Sequence, residues 1–326
     1  MYSCANLLDY ALRFSLYIFD RRMLPNPMRK DYTYARALKQ HLHGLFFLLL
    51  LLTSFASQAI DLNPFDVVAP PVNKNFFSAS LIHADATGSY REGIRPAQAS
   101  TLTSNQVQLR LGRSYEIGGY TGLSFLQLPI GTLRPGGASS GLPTDSGVGD
   151  LTLATAIWPY ANRQTRTYFG VAGYLTVPTG SYSNQQLFNF GSNRVSGDIQ
   201  VAYQTAITKQ LDGMIGMDVM WFGANNQFGR GNAQLTQKPL YTGQIGPIFH
   251  FNNTFSLAAT YLYIWGAETS INGVSNNNAL QTHRYLISAV ATTSKGRFML
   301  QYGSNLDTQF GFSETRRLIL RYAMAF

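Results

Sequence analysis

Gln106-Val107-Gln108-Leu109-Arg110-Leu111 exchanges polar and apolar side chains at every step. Alternation with period two places successive side chains on opposite faces of a pleated strand, so this segment has one greasy face and one polar face. The same pattern sets Leu151, Leu153 and Ile157 against Asp150, Thr152 and Ala154, and Ile199, Val201, Tyr203 and Ile207 against Asp198, Gln200 and Gln204. Further segments of this kind run over 166–178, 213–223, 239–251, 254–266, 281–292, 297–304 and 315–326, with less regular ones at 76–89 and 118–130. Their lengths suit tilted strands that cross a bilayer, and with the opening three they bring the count to twelve, an even number.

The connections carry a second signal. Short turns follow Arg113, Trp158, Thr208, Phe251 and Thr292, while longer polar loops occupy 90–101, 131–148, 179–196, 224–238, 267–280 and 305–314. A globular sandwich has no reason to alternate its loops by length. An outer-membrane barrel does, because its periplasmic turns are short and its extracellular loops long. The fold class expected is therefore all-β: a closed antiparallel transmembrane β-barrel of about twelve strands spanning residues 76–326. Closure is required because an open sheet edge in lipid leaves backbone groups unpaired at several kcal/mol each.

The last strand sets Leu318, Leu320, Tyr322, Met324 and Phe326 on one face and Arg317, Ile319, Arg321 and Ala323 on the other. An aromatic terminus with Tyr322-x-Met324-x-Phe326 is similar to the signal by which barrel-assembly machinery recognises its clients. Trp158, Tyr160, Tyr174, Trp221, Phe222, Tyr241, Tyr263, Trp265 and Tyr285 fall near strand ends, where amphipathic rings sit at a membrane interface.

The run Leu45–Leu52 is preceded by Arg29, Lys30, Arg36 and Lys39 and followed by small residues ending at Ala59. Basic region, short apolar region and small residues in that order mark a cleaved signal peptide, and the run is too short to span a bilayer. The expected organisation is an upstream extension over 1–27, with Met28 as the natural start, a signal peptide over 28–59, a periplasmic segment over 60–75, and the barrel. Pro64, Pro70 and Pro71 suggest a loose lead for 60–75, with a plug as the other reading. Much of the net charge of +9 belongs to the leader: beyond Ala59 there remain 18 basic and 13 acidic residues, a net +5. The only cysteine, Cys4, lies in the extension, so an exported product has no disulfide framework and no thiolate metal site. With 13% aromatic and only 13% charged residues the chain is not a disordered tail, and its scattered basic residues give no nucleic-acid stripe.

Gly149-Asp150-Leu151 opens one strand, Val177-Pro178-Thr179-Gly180-Ser181-Tyr182 closes the next, and Leu128-Pro129 lies upstream. In these motifs, over roughly residues 75–326, the chain resembles the putative MetA-pathway of phenol degradation family, a group of outer-membrane barrels. The resemblance implies a channel or transporter of small, hydrophobic or aromatic compounds.

With apolar positions facing lipid, the candidate lumen residues are Arg110, Asp150, Asp198, Gln200, Asp218, Gln244, Arg284, Gln301, Arg317 and Arg321. A lipid-facing Arg at mid-bilayer would cost about 2–4 kcal/mol, which decides the orientation. This set forms either a polar conduit of weak selectivity, tilted toward anions, or an ion-pair network that fills the barrel. In the loop over 179–196, Leu187, Phe188 and Phe190 are candidates for an inward constriction, since aromatic side chains in a polar loop gain by burial.

Gly137-Ala138-Ser139-Ser140-Gly141 matches a nucleophile elbow but has no helix behind it, and His83, His250 and His283 show no obvious serine partner. Neither metal-ligand spacing nor a dinucleotide loop is present, so no cofactor and no enzyme is expected. A non-conducting adhesive barrel with ligand-binding loops is the second reading and a lipolytic barrel the third. The partners expected are outer-membrane lipid, the assembly machinery and a small-molecule permeant; oligomeric state is open.

Overall fold

The computed structural model describes residues 61–326. The expected signal peptide, its cleavage after Ala59, the start at Met28 and Cys4 lie outside the described residues. Twelve long strands follow in chain order: β1 Asn75–Tyr90, β2 Ser100–Ile117, β3 Tyr120–Gly137, β4 Leu151–Asn162, β5 Thr167–Val177, β6 Ser196–Ala206, β7 Leu211–Phe222, β8 Leu240–His250, β9 Phe255–Gly266, β10 Leu280–Thr293, β11 Gly296–Thr308 and β12 Gly311–Ala325. Each pairs antiparallel with its neighbours in sequence. β1 also pairs with β12, from Phe76↔Ala325 to Tyr90↔Gly311, and closes the sheet into the twelve-stranded barrel that the alternation predicts.

The pleat sorts the side chains as expected. On β6 and β7, Ile199, Val201, Ile215 and Met217 are exposed on the outer face, whereas Asp198, Gln200, Gln204, Asp212 and Asp218 are buried inside. This is the inverse of a soluble protein, and it follows from a greasy solvent outside and a polar interior.

Five connections at one rim are short, at 118–119, 163–166, 207–210, 251–254 and 294–295. At the other rim, 91–99, 138–150, 178–195, 223–239 and 267–279 are long. The expected sixth long loop, 305–314, is different: β11 and β12 run through it and leave a turn of two residues, Gln309-Phe310. Within it Thr308 donates to Ser313 (3.1 Å) and Glu314 accepts from Arg317 (3.0 Å) inside the barrel, so polarity at these positions marks lumen rather than loop. Two of the long loops build a four-stranded sheet of their own from Asn225–Phe228, Ala233–Gln237, Thr269–Ile271 and Val274–Ser275.

Gly246 marks a tight point of the wall. A β-carbon there would fall on the carbonyl oxygen of Ala259 in β9, and Pro247 beside it has no N–H for the ladder. Gly246→Ala is expected to part β8 from β9 and sharply lower the yield of folded barrel, read as loss of the compact, heat-sensitive band on a denaturing gel. Undiminished folding would show that the strands can yield there.

Candidate functional site: the barrel lumen

Nine of the ten candidate lumen residues line the inner face of the strands: Arg110 on β2, Asp198 and Gln200 on β6, Asp218 on β7, Gln244 on β8, Arg284 on β10, Gln301 on β11, and Arg317 and Arg321 on β12. Because β6 and β12 lie six strands apart in a ring of twelve, acids and arginines occupy opposite walls. On the basic wall Arg284 and Arg317 share Glu314, at 3.3 and 3.0 Å. On the acidic wall Asp198 and Asp218 are both buried, with the side chains of Gln200 and Thr242 beside the Asp218 carboxylate. The tenth residue, Asp150, stands just before β4 and holds a loop instead, as described below.

The segment preceding β1 is folded into the lumen at the short-turn rim rather than hanging loose. Leu62, Val67 and Ala69 are buried against Trp158, Tyr168, Ala202 and Met214. Polar groups of the wall take up its backbone: Trp158 Nε1 donates to the Val67 carbonyl (2.7 Å), Ser114 Oγ to Pro71 (2.6 Å) and Arg163 to Ala69 (3.2 Å), while the Leu62 amide donates to Gln244 (3.2 Å). Its two acids meet the basic wall, Asp61 with Arg284 (3.6 Å) and Arg317 (3.9 Å), and Asp66 with Arg321 (3.3 Å). Phe65 lies under the Arg297 guanidinium and beside the His250 ring. Burial works to raise the Asp66 carboxyl, but Arg321, Arg110 and the bonds from Asn63 overcome it and hold Asp66 below its usual range.

Beside this segment the lumen keeps a cavity of about 460 Å³. Its walls include Leu123, Phe125, Trp158, Tyr174, Arg110 and Arg321. Arg110 stacks over Phe125 (4.4 Å) and donates to Gln127 (2.7 Å), Phe125 meets Tyr174 edge to face, and the Tyr174 hydroxyl donates to Gln200 (3.0 Å). The hydrogen bonds and stacking fix these rings, so the cavity has a shaped apolar wall with cationic groups at its margin.

The loop over 178–195 folds back toward the lumen. Asp150 accepts from the Gly180 amide (2.9 Å) and from the amide (2.8 Å) and hydroxyl (2.5 Å) of Ser192, so one carboxylate ties both ends of the loop. Asn189 closes its tip by accepting from the Ser183 amide and donating to the Ser183 and Gln186 carbonyls. Phe188 is 3% exposed and packs edge to face on Phe312 of β12, five strands away round the ring. Phe190 donates its amide to Asp145 (2.7 Å) and its ring lies by Gly131 and Gly149. Leu187 is half-buried beside them.

Residues 96–320 match the family described as "Putative MetA-pathway of phenol degradation". The chain belongs to that family. Among solved structures, this phenol-degradation family member is similar to the COG4313 outer membrane channel from Pseudomonas putida F1, with 30% identity, a TM-score of 0.78, and coverage of 82% of this chain and 100% of the other. Looser likenesses include the KdgM porin in complex with disordered oligogalacturonate (10% identity, TM-score 0.40, covering 76% and 99%) and the translocator domain of the autotransporter NalP from Neisseria meningitidis (10%, 0.44, 90% and 97%). No curated protein matches the chain. The family member is thus a channel-like outer-membrane barrel, and the rim of short turns is its periplasmic side.

Some residues of this family member sit elsewhere than their sequence suggests. Trp158, Tyr174 and Phe222, read as interface aromatics, point inward: Trp158 holds the N-terminal segment, Tyr174 lines the cavity and Phe222 lies under Arg194. The outward girdle consists of Tyr160, Trp221, Tyr241, Tyr263, Trp265 and Tyr285, with Tyr241, Trp265, Tyr263 and His283 stacked in a row. His250, expected without a serine partner, has one: its Nδ1 meets Ser256 Oγ and its Nε2 meets Asp212, both at 3.0 Å. Arg166 also binds Asp212 (2.8 Å), and the chain ties the turns of the periplasmic rim together. The signal was the turn itself, since a tight hairpin brings residues 250 and 256 opposite each other. Ser139 lies buried in a turn and donates to Ser100 (2.6 Å), with no histidine bonded to it among the described residues, so the elbow match is turn chemistry.

Proposed function

We propose that the barrel passes small hydrophobic or aromatic molecules across the outer membrane, with the cavity beside the N-terminal segment as their station in the lumen. The cavity carries this reading, because a water-filled pore for polar solutes would have no need of a wall of Phe125, Trp158, Tyr174 and Leu123. The Pseudomonas channel, matched over its whole length, supports the channel part. The loop carrying Leu187, Phe188 and Phe190 would restrict the outer mouth, and Arg110 would favour a permeant that bears a negative or strongly polar group. Tyr322, Met324 and the exposed Phe326 form the segment we expect the assembly machinery to read.

Trp158 provides the test, since it is the one tryptophan that lines the cavity, Trp221 and Trp265 being on the outer wall. Titrating the purified barrel with benzoate, phenol and toluene is expected to quench its emission saturably, and Phe125→Ala to weaken that quenching about tenfold, the scale of 1.4 kcal/mol. Linear quenching that ignores Phe125→Ala would mean that the cavity does not receive such solutes.

A further inference from the structure

The outer face of β12, β1, β2 and β3 changes character abruptly toward the extracellular rim. Strand register aligns Leu320, Leu81, Val107 and Ile130 in one lateral row, all exposed and all apolar. Two residues further along each strand the row reads Leu318, His83, Asn105 and Thr132, and two further still Arg316, Asp85, Thr103 and Arg134. Charged groups on a lipid-facing wall are tolerated only near the interface, which puts this last row at the depth of the outer-leaflet headgroups.

The row is organised. Asp85 accepts from Arg316 and from Thr103 Oγ1 (2.9 Å), and contacts His83 Nε2 (3.2 Å), while His83 Nδ1 meets Asn105 (2.8 Å). Arg316 is thereby held in place yet half exposed. Arg134 is exposed and meets no partner among the described residues. The connection between β1 and β2 adds exposed Arg91, Glu92 and Arg95 above them. Four arginines thus face two acids on this quadrant, whereas the outward positions of β4 to β9 carry no Arg, Lys, Asp or Glu at all.

We propose that this quadrant binds the phosphorylated disaccharide headgroup of an outer-leaflet glycolipid. Arg134 and Arg316 stand three strand intervals apart, about 14 Å, a span suited to two phosphates at opposite ends of one disaccharide. Each guanidinium can take a phosphate through paired hydrogen bonds. His83, Asn105 and Thr132 face the sugar, and the row of Leu81, Val107, Ile130 and Leu320 seats acyl chains below it. A zwitterionic phospholipid has one phosphate and brings its own cation, so it fills only part of this pattern.

Native mass spectrometry of the purified barrel with added bisphosphorylated lipid A, monophosphorylated lipid A and phosphatidylethanolamine tests the assignment. The bisphosphorylated lipid is expected to bind at least tenfold more tightly than either of the others, and Arg134→Glu with Arg316→Glu to abolish that preference. Arg134→Ala, which breaks no existing contact, is expected to lower it by itself, while Arg113→Glu on the outer face at the periplasmic rim leaves it intact. Equal affinity for the three lipids, or an unchanged preference in Arg134→Ala, overturns the proposal.

Discussion

A barrel that lacks residues 61–71 is expected to conduct several-fold more than one that keeps them in a planar bilayer, and to prefer anions. The reason lies in what this segment does inside the lumen. It fills the periplasmic end with Leu62, Val67 and Ala69, and it brings Asp61 and Asp66 to the arginine wall. Without it, Glu314 is the acid left to Arg284 and Arg317, and Arg321 loses its carboxylate, so the wall of β10 and β12 becomes more positive. Gly216→Leu reaches the same end by steric means, because a β-carbon at 216 already stands 2.5 Å from the Leu62 side chain. Acid offers a third route with a defined window. Asp66 is held below its ordinary 3.8, so its share of the docking energy is complete above about pH 5 and is lost only as the pH falls below 3.8. The rise in conductance that follows release of the segment is accordingly expected only below about pH 4. If the truncated barrel and Gly216→Leu both match the parent in conductance and selectivity, the segment does not govern passage.

The fold was legible because two independent periodicities agree. Side-chain alternation reports which face meets lipid, and loop length reports which rim a connection belongs to, and neither needs tertiary information. Arg284, Arg317 and Arg321 were placed inside by energetics alone, since such charges cannot face hydrocarbon. What the sequence hid was the second use of an amphipathic residue. Trp158 and Tyr174 have the chemistry of interface anchors, but the same ring with a polar tip serves as well against a backbone carbonyl or a glutamine inside a lumen. Residues 305–314 read as loop because polarity in a barrel has two homes, water at the rim and the interior of the wall. The N-terminal segment was ambiguous for a related reason: its prolines argue against regular structure, yet a chain without regular structure can still be held by donors that the wall presents.

Asp150→Ala is expected to release the loop over 178–195 while the barrel stays folded. The carboxylate accepts three hydrogen bonds from two residues twelve apart, and it does so where Asp150 is 8% exposed. Alanine leaves those donors unmet, at about 1–3 kcal/mol for each that stays buried, which is more than a surface loop can absorb. The Phe188 ring then loses its seat, since Phe188 lies within the span that Asp150 closes at both ends. The expected readout is a new protease-sensitive site between Ser183 and Phe190, with hydrogen exchange accelerated there and unchanged in β4 to β6. Phe188→Ala should separate the anchoring from the obstruction. The Asp150 bonds and the Asn189 turn remain, so the loop is expected to keep its protection, while the contact with Phe312 disappears and the outer mouth admits larger solutes. Should Asp150→Ala leave the loop as resistant as before, its position is set by the apolar contacts of Phe188 and Phe190, and Phe188→Ala would then be the variant that melts it.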